Sequence, residues 1–188
     1  MSISSYLVQS ADVLRDAAAR VKPELVEEAV TLCVNALSTG ASILVCGNGG
    51  SASDAMHIVG ELVGRFKLER RALKVICLSS NPSVLTAWAN DYSYDTVFSR
   101  QVEAYAEKGG VLLGLSTSGN SPNVVKAFIA AKAAGISTIA LTGEGGGALA
   151  AHSTVLLEAP SRSTPLIQQV HICLYHYLCA EIEARLAA

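Results

Sequence analysis

The chain has 188 residues, 51% of them hydrophobic and 16% charged, with a formal net charge of −2. That length suits one domain with a sizeable core, and the near-neutral, slightly acidic balance argues against a nucleic-acid binder. No apolar run reaches the roughly 18–20 residues that span a bilayer, and the opening M-S-I-S-S-Y-L-V-Q-S-A-D has neither a basic region nor an apolar stretch like those of a secretory leader.

Residues 3–20 and 23–38 read as two helices, with Leu7, Val13 and Leu14 on the first and Leu25, Val26, Ala29, Leu32 and Ala36 on the second. Pro23 stands where a first helical residue would. Neither segment concentrates chemical side chains, so residues 1–40 are expected to serve packing and oligomerisation, with an α/β core over 41–188. Ile43 to Cys46 is a short apolar run that breaks at Gly47-Asn48-Gly49-Gly50-Ser51 and continues as a helix, the profile of a buried parallel strand, a glycine turn and a helix start. A charge run, Arg65, Lys67, Arg70 and Arg71, reads as a solvated loop before a second strand, Lys74 to Ser79. Helix resumes after Asn81-Pro82-Ser83 through Asn90-Asp91, and again from Thr96 to Glu107, where Gly109-Gly110 ends it. The third strand, Val111 to Leu115, meets Ser116-Thr117-Ser118-Gly119-Asn120-Ser121 and a helix, Asn123 to Ala134. Thr138 to Thr142 and Val155 to Glu158 are the last strands, separated by the glycine-rich turn 143–147. The last helix covers about Thr164 to Leu186.

Strands alternating with helices at this spacing predict a three-layer, doubly wound α/β domain with five parallel strands. Nothing divides the chain, so residues 1–188 are expected to form a single domain. Ligands in such sheets sit at the carboxyl ends of the strands, where both polar turns fall. The surplus of apolar residues points to subunit contacts. Cys33, Cys46, Cys77, Cys173 and Cys179 are odd in number, lie in apolar segments and form no C-x-x-C pair, as in a reduced, cytoplasmic protein.

Two turns and one helix face carry chemistry. The glycine turn exposes backbone N–H groups at a helix N-terminus, which favours an anion such as phosphate. Its spacing is neither G-x-G-x-x-G nor G-x-x-x-x-G-K-[ST], so dinucleotides and nucleoside triphosphates are poor candidates. Ser116, Thr117, Ser118 and Ser121 offer hydroxyls beside a second helix start, although Ser and Thr also stand there simply as caps. His57 and Glu61, four apart, share a helix face. On the last helix Gln168 and His176 are about two turns apart, whereas His171 is turned about 140° from His176 at ~100° per residue. His152, after a glycine-rich loop, reads as structural.

The ordered set C-G-N-G-G-S-x-x-D-A-M-H-x-x-x-E-L-x-G-R-[FY], A-N-D, L-L-G-L-S-T-S-G-N-S, A-L-T-G and I-Q-x-x-H-x-x-x-x-H resembles the sugar isomerase (SIS) fold, and within it the phosphoheptose isomerases, over nearly the whole chain. The resemblance implies a flavodoxin-like SIS sheet and a homotetramer. It also implies conversion of D-sedoheptulose 7-phosphate to D-glycero-D-manno-heptose 7-phosphate, opening nucleotide-heptose synthesis for lipopolysaccharide. It assigns phosphate binding to Ser116, Thr117, Ser118 and Ser121, and substrate contacts to Asn48, Gly49, Gly50, Ser51, Asn90, Asp91 and Gln168. Zinc would be bound by His57, Glu61, Gln168 and His176, and the acid/base pair would be Glu61 and His176. Aldose–ketose isomerisation moves a proton between adjacent carbons through an enediol, and a carboxylate with an imidazole suits that work. One departure stands out: Leu166 and Gln169 replace the family's usual Arg and Glu. The competing readings are a non-catalytic binder like the replication-initiator-associating proteins, a sugar-phosphate sensor, and an isomerase of another phosphosugar. Keeping both Glu61 and His176 favours an enzyme.

Overall fold

A computed structural model describes residues 1–187. The chain runs α1 (Ile3–Arg20), α2 (Pro23–Ser38), β1 (Ile43–Gly47), α3 (Gly50–Val63), β2 (Val75–Cys77), α4 (Pro82–Asp91), a 3-10 turn (Tyr94–Thr96), α5 (Val97–Tyr105), β3 (Val111–Ser116), α6 (Pro122–Ala133), β4 (Ser137–Thr142), a second 3-10 turn (Gly147–His152), β5 (Val155–Glu158) and α7 (Thr164–Leu186). The five strands lie in the order β2-β1-β3-β4-β5, and every neighbouring pair is parallel. This is the flavodoxin-like order expected for a doubly wound sheet, whose direction of winding reverses between β1 and β3.

The strands alternate strictly, as a sheet covered on both faces requires. Ile43 and Val45 of β1 point with Leu113, Leu115, Ile139 and Leu141 into a core closed by α2, α3 and α7. Leu44 and Cys46 point the other way, with Leu112 and Ala140, into a core closed by α5 and α6 through Phe98, Val102, Val124 and Phe128. Each such fully buried side chain contributes roughly 1.5–3 kcal/mol of transfer free energy. Between these two cores the sheet is fixed in register. A one-residue slip of β1 would exchange its two faces.

α1 packs more lightly, through Val13 and Ala17 on Leu166 and Val170 of α7. Its Ile3, Leu7 and Val8 remain exposed. A groove of about 520 Å³ lined by Leu14, Val21, Val26, Cys173, Leu174 and Tyr177 opens between α1, α2 and α7. Cys33, Cys46 and Cys179 are buried as expected, whereas Cys173 is exposed in that groove; all five cysteines are free thiols. No helix among the described residues is long and apolar enough to cross a membrane.

Two expectations need correction. The second strand is only Val75–Cys77. It lies at the sheet edge, and past Cys77 the chain bends so that the Ser79 hydroxyl donates to the Gly47 carbonyl at 2.8 Å and accepts from the Gly47 amide at 3.2 Å. More consequentially, Arg70 is not solvated: its side chain is 2% exposed against a Glu183 side chain that is 1% exposed, 3.3 Å away. Arg70 donates to the Glu61 carbonyl at 2.9 Å and to the Gly64 carbonyl at 2.8 Å, so a cation completes the carbonyl end of α3. The Glu183 carboxylate accepts from the amides of Phe66, Lys67 and Leu68 at 2.6–2.8 Å. Burial works to raise the Glu183 pKa, but those three donors and Arg70 outweigh it and hold the carboxylate ionised below its usual range.

Candidate active site

The glycine turn and the serine loop follow β1 and β3, the two adjacent strands where the winding reverses, so both open into the crevice at the switch point. A reciprocal amide pair ties them together. Asn48 Nδ2 donates to Asn123 Oδ1 at 2.8 Å, and Asn123 Nδ2 donates back to Asn48 Oδ1 at 2.9 Å. The Tyr94 hydroxyl adds a donation to Asn48 Oδ1 at 2.9 Å. Asn123 is buried in the first turn of α6.

At the glycine turn, α3 starts at Gly50 with Gly49 as its N-cap and no side-chain cap. No side-chain oxygen caps that end; the Ser51 and Ala52 amides donate to the carbonyls of Asn48 and Gly49, both at 3.0 Å, and the positive end of the helix dipole still favours an anion there. The amide end of the Gln168 side chain lies directly over Gly50, where a Cβ would stand. Ser51 sits just beneath, buried.

In the serine loop, helix capping does not occupy the Ser121 hydroxyl. Ser121 is the N-cap residue of α6, yet its side chain makes no capping bond. Its hydroxyl instead lies 2.9 Å from that of Ser116. Thr117 reaches the Thr164 hydroxyl at 3.4 Å, and Ser118 accepts from the Asn120 amide at 3.1 Å. Gly119 holds φ +66° with Gly146 packed so closely that no side chain fits. The loop is thus folded tightly on itself, with hydroxyls gathered at a helix N-terminus.

The third part is a corner where α3 meets α7. His57 Nε2 lies 3.0 Å from Glu61 Oε1 and 3.5 Å from His176 Nε2, although His57 and His176 are 119 residues apart in sequence. The ligand atoms of His57, Glu61 and His176 all fall within 4.8 Å of one another, a group able to hold a metal ion. Phe66 covers His176 at 5.5 Å between ring centroids. Behind the corner, Tyr175 is fully buried, and its hydroxyl lies 3.0 Å from His57 Nδ1 and donates to Asp54 Oδ1 at 3.3 Å. Burial raises the Asp54 pKa above the usual carboxylate range, partly offset by the Tyr175 hydroxyl and His57. Burial, and after it the Asp54 charge, likewise pushes the Tyr175 phenol up, so it is a neutral donor and acceptor. A cavity of about 280 Å³ lined by Gly50, Asp54, Gln168 and Gln169 lies alongside.

The expected residues are therefore gathered unequally. Gly50 meets Gln168 on one side of the glycine turn, Asn48 meets Asn123 of the serine-loop helix on the other, and His57, Glu61 and His176 meet one another. Asn90 and Asp91 lie exposed at the end of α4, where their side chains bond each other at 3.0 Å; Tyr94, three residues on, is what touches the glycine turn. His171 faces away, as its angle around the helix predicted: it is buried, and Nε2 lies 3.0 Å from the Thr142 carbonyl. His152 ends a 3-10 turn, its carbonyl accepting from Thr138. Sequence reasoning missed Asp54, Tyr175, Tyr94 and Asn123. Asp54, His57 and Glu61 do share a helical stripe, which was a usable signal. The others join the site only through long-range contacts.

Residues 5–143 match the SIS domain family model. A phosphoheptose isomerase of Citrifermentans bemidjiense is 47% identical over 186 residues, covering 99% of this chain and 96% of that protein. One from Helicobacter pylori strain P12 is 51% identical over 164 residues, 87% of this chain and 85% of that protein. The solved phosphoheptose isomerase of Neisseria gonorrhoeae superposes with a TM-score of 0.90 at 39% identity, covering 97% of each chain.

Proposed function

The chain belongs to the SIS domain family and, within it, to the phosphoheptose isomerases, and from that premise we propose how its site carries out the reaction. The enzyme is an aldose–ketose isomerase that converts D-sedoheptulose 7-phosphate to D-glycero-D-manno-heptose 7-phosphate in heptose biosynthesis. The observation that carries the mechanism is the convergence of Glu61 and His176 with His57 at one corner, beside the crevice flanked by both anion-favouring turns.

Ser116, Thr117, Ser118 and Ser121, with the N-terminus of α6, hold the phosphate by hydrogen bonds. Asn48, Gly49, Gly50, Ser51 and Gln168 line the sugar's path, with Asn90 and Asp91 at its outer edge. With the phosphate fixed, C1 and C2 of the sugar lie against Glu61 and His176. One of this pair takes the C1 proton, leaving an enediol, and returns it to C2. The other takes the O1 proton and supplies one at O2. No proton is gained or lost overall, so each group ends the turnover as it began.

Zinc would be held by His57, Glu61 and His176, with the Gln168 amide oxygen as a fourth donor. Two imidazole nitrogens and a carboxylate are donors that zinc takes, and His57 Nε2, 3.0 Å from Glu61 and 3.5 Å from His176, with all three donor atoms within 4.8 Å, would let one ion reach them together. When bound, it supplies polarisation of the sugar oxygens. We also assign a homotetramer, supported by the apolar groove between α1, α2 and α7 and the exposed Ile3, Leu7 and Val8. A cytoplasmic location accords with the reaction's place in sugar-phosphate metabolism.

The test is turnover of sedoheptulose 7-phosphate by purified protein, with and without added zinc, following the heptose product by NMR. We expect product, with a rate that rises on zinc addition to chelator-treated enzyme. Binding of the phosphosugar without product would return the chain to the class of non-catalytic SIS binders.

A further inference from the structure

We infer that Tyr175 and Asp54 are positioning residues for His57, forming a relay through the buried Tyr175 hydroxyl that selects the ring tautomer in which Nε2 keeps its lone pair for a metal ion. This deepens the metal reading above and rests on it.

A metal-binding imidazole must offer one nitrogen as a lone pair, which leaves its single proton on the other nitrogen. In His57, Nε2 is the nitrogen that faces Glu61 and His176. The proton must then sit on Nδ1, and Nδ1 needs an acceptor. Within reach is the Tyr175 hydroxyl, 3.0 Å away. A hydroxyl accepts well only if its own hydrogen is engaged elsewhere, and the Asp54 carboxylate engages it at 3.3 Å. The chain therefore reads Nδ1–H of His57 to the Tyr175 oxygen, and Tyr175 O–H to Asp54. Metal-bound histidines generally donate their second nitrogen to a carboxylate or carbonyl, and loss of that partner weakens metal binding about 10–100-fold. Here the carboxylate acts through a phenol.

Two further observations support a purpose beyond packing. The rings are edge-on, His57 to Tyr175 at 5.4 Å and 71°, which leaves the hydroxyl in line with a ring nitrogen instead of stacked on the ring face. The second Asp54 oxygen, Oδ2, is buried without a hydrogen-bond partner. An unpartnered buried carboxylate oxygen is a cost that surface-type side chains at this position would avoid. The relay gives that cost a return, since a neutral residue at 54 would polarise the phenol less.

The experiment compares wild type with Tyr175→Phe and Asp54→Asn in the full-length protein. Zinc dissociation constants come from competition with a chromophoric chelator, and the His57 ring-proton position from ¹⁵N chemical shifts of the zinc-loaded protein, since without metal the Glu61 carboxylate beside Nε2 competes for that proton. Tyr175→Phe removes one oxygen from an otherwise unchanged ring. We expect it to weaken zinc about 10–100-fold and to shift His57 away from the Nδ1–H form. Asp54→Asn, whose amide oxygen still accepts from the phenol, should weaken zinc less. Wild-type zinc affinity and an unchanged tautomer in folded Tyr175→Phe would overturn the relay alone. A wild type that takes up no zinc would overturn the metal reading and the relay with it.

Discussion

The serine loop and the α3–α7 corner serve one substrate but are built in opposite ways. The hydroxyls of the loop come from one short stretch, Ser116 to Ser121, gathered at a helix start where the strand ends, with Gly146 and Thr164 only buttressing it. The corner is assembled from afar, with ligands from α3 and α7 and a buried Arg70–Glu183 pair fixing the carbonyl end of α3 against α7. A local cradle tolerates small shifts, because a phosphate is held by several weak donors. A proton-transfer site does not, because its groups must meet particular atoms. The molecule accordingly places its most buried ion pair behind the corner.

That contrast can be broken most directly at Glu61. Glu61→Gln should cut kcat by about 10²–10⁴-fold while phosphosugar binding persists; near-normal turnover would remove Glu61 from the chemistry and leave the corner only a metal holder. Glu183→Gln comes next. It leaves Arg70 buried without its counter-charge and should cost about 3–5 kcal/mol, read as a lower urea midpoint. An unchanged midpoint would show that the corner is not anchored through this pair.

His171 provides a pH test on the opposite side of α7. Burial lowers its pKa to about 4, so the folded protein keeps it neutral where the unfolded chain, near 6.5, binds a proton. Its contribution is therefore fully present above pH 6.5 and lost as pH falls towards 4, by about 3 kcal/mol. His171→Gln should flatten that limb of the stability profile, and a profile identical to wild type would contradict the assignment. The smallest effect belongs to the loop. Ser121→Ala should raise KM roughly tenfold with kcat little changed, because the phosphate is bound alike in ground and transition states. A loss confined to kcat would mean the loop takes part in the chemistry after all.

The same contrast governed what could be read from the sequence. The strands, their order of appearance, both polar turns and the shared face of His57 and Glu61 follow from periodicity and turn chemistry, which act over a few residues. The turning away of His171 followed from helical geometry alone. Arg70 was misjudged because a basic run looks solvated unless its partner is known, and that partner lies 113 positions later at Glu183. Tyr175 and Asn123 escaped for the same reason. Nothing local marks a tyrosine inside an apolar helix as the neighbour of a histidine over a hundred residues earlier. Asp54, one turn before His57, lies on the same helical stripe, and its part in the corner shows once the Tyr175 hydroxyl stands beside it.

The dependence of the corner on α7 is also a dependence of the core. All five strands and both polar turns precede Thr164, yet α7 places Tyr175, Leu178, Cys179 and Ile182 in the core on one face of the sheet. Small domains fold as cooperative units, so the helix that seals that face is also the one that brings His176 to His57 and Glu61, and folding and assembly of the acid/base corner become a single event.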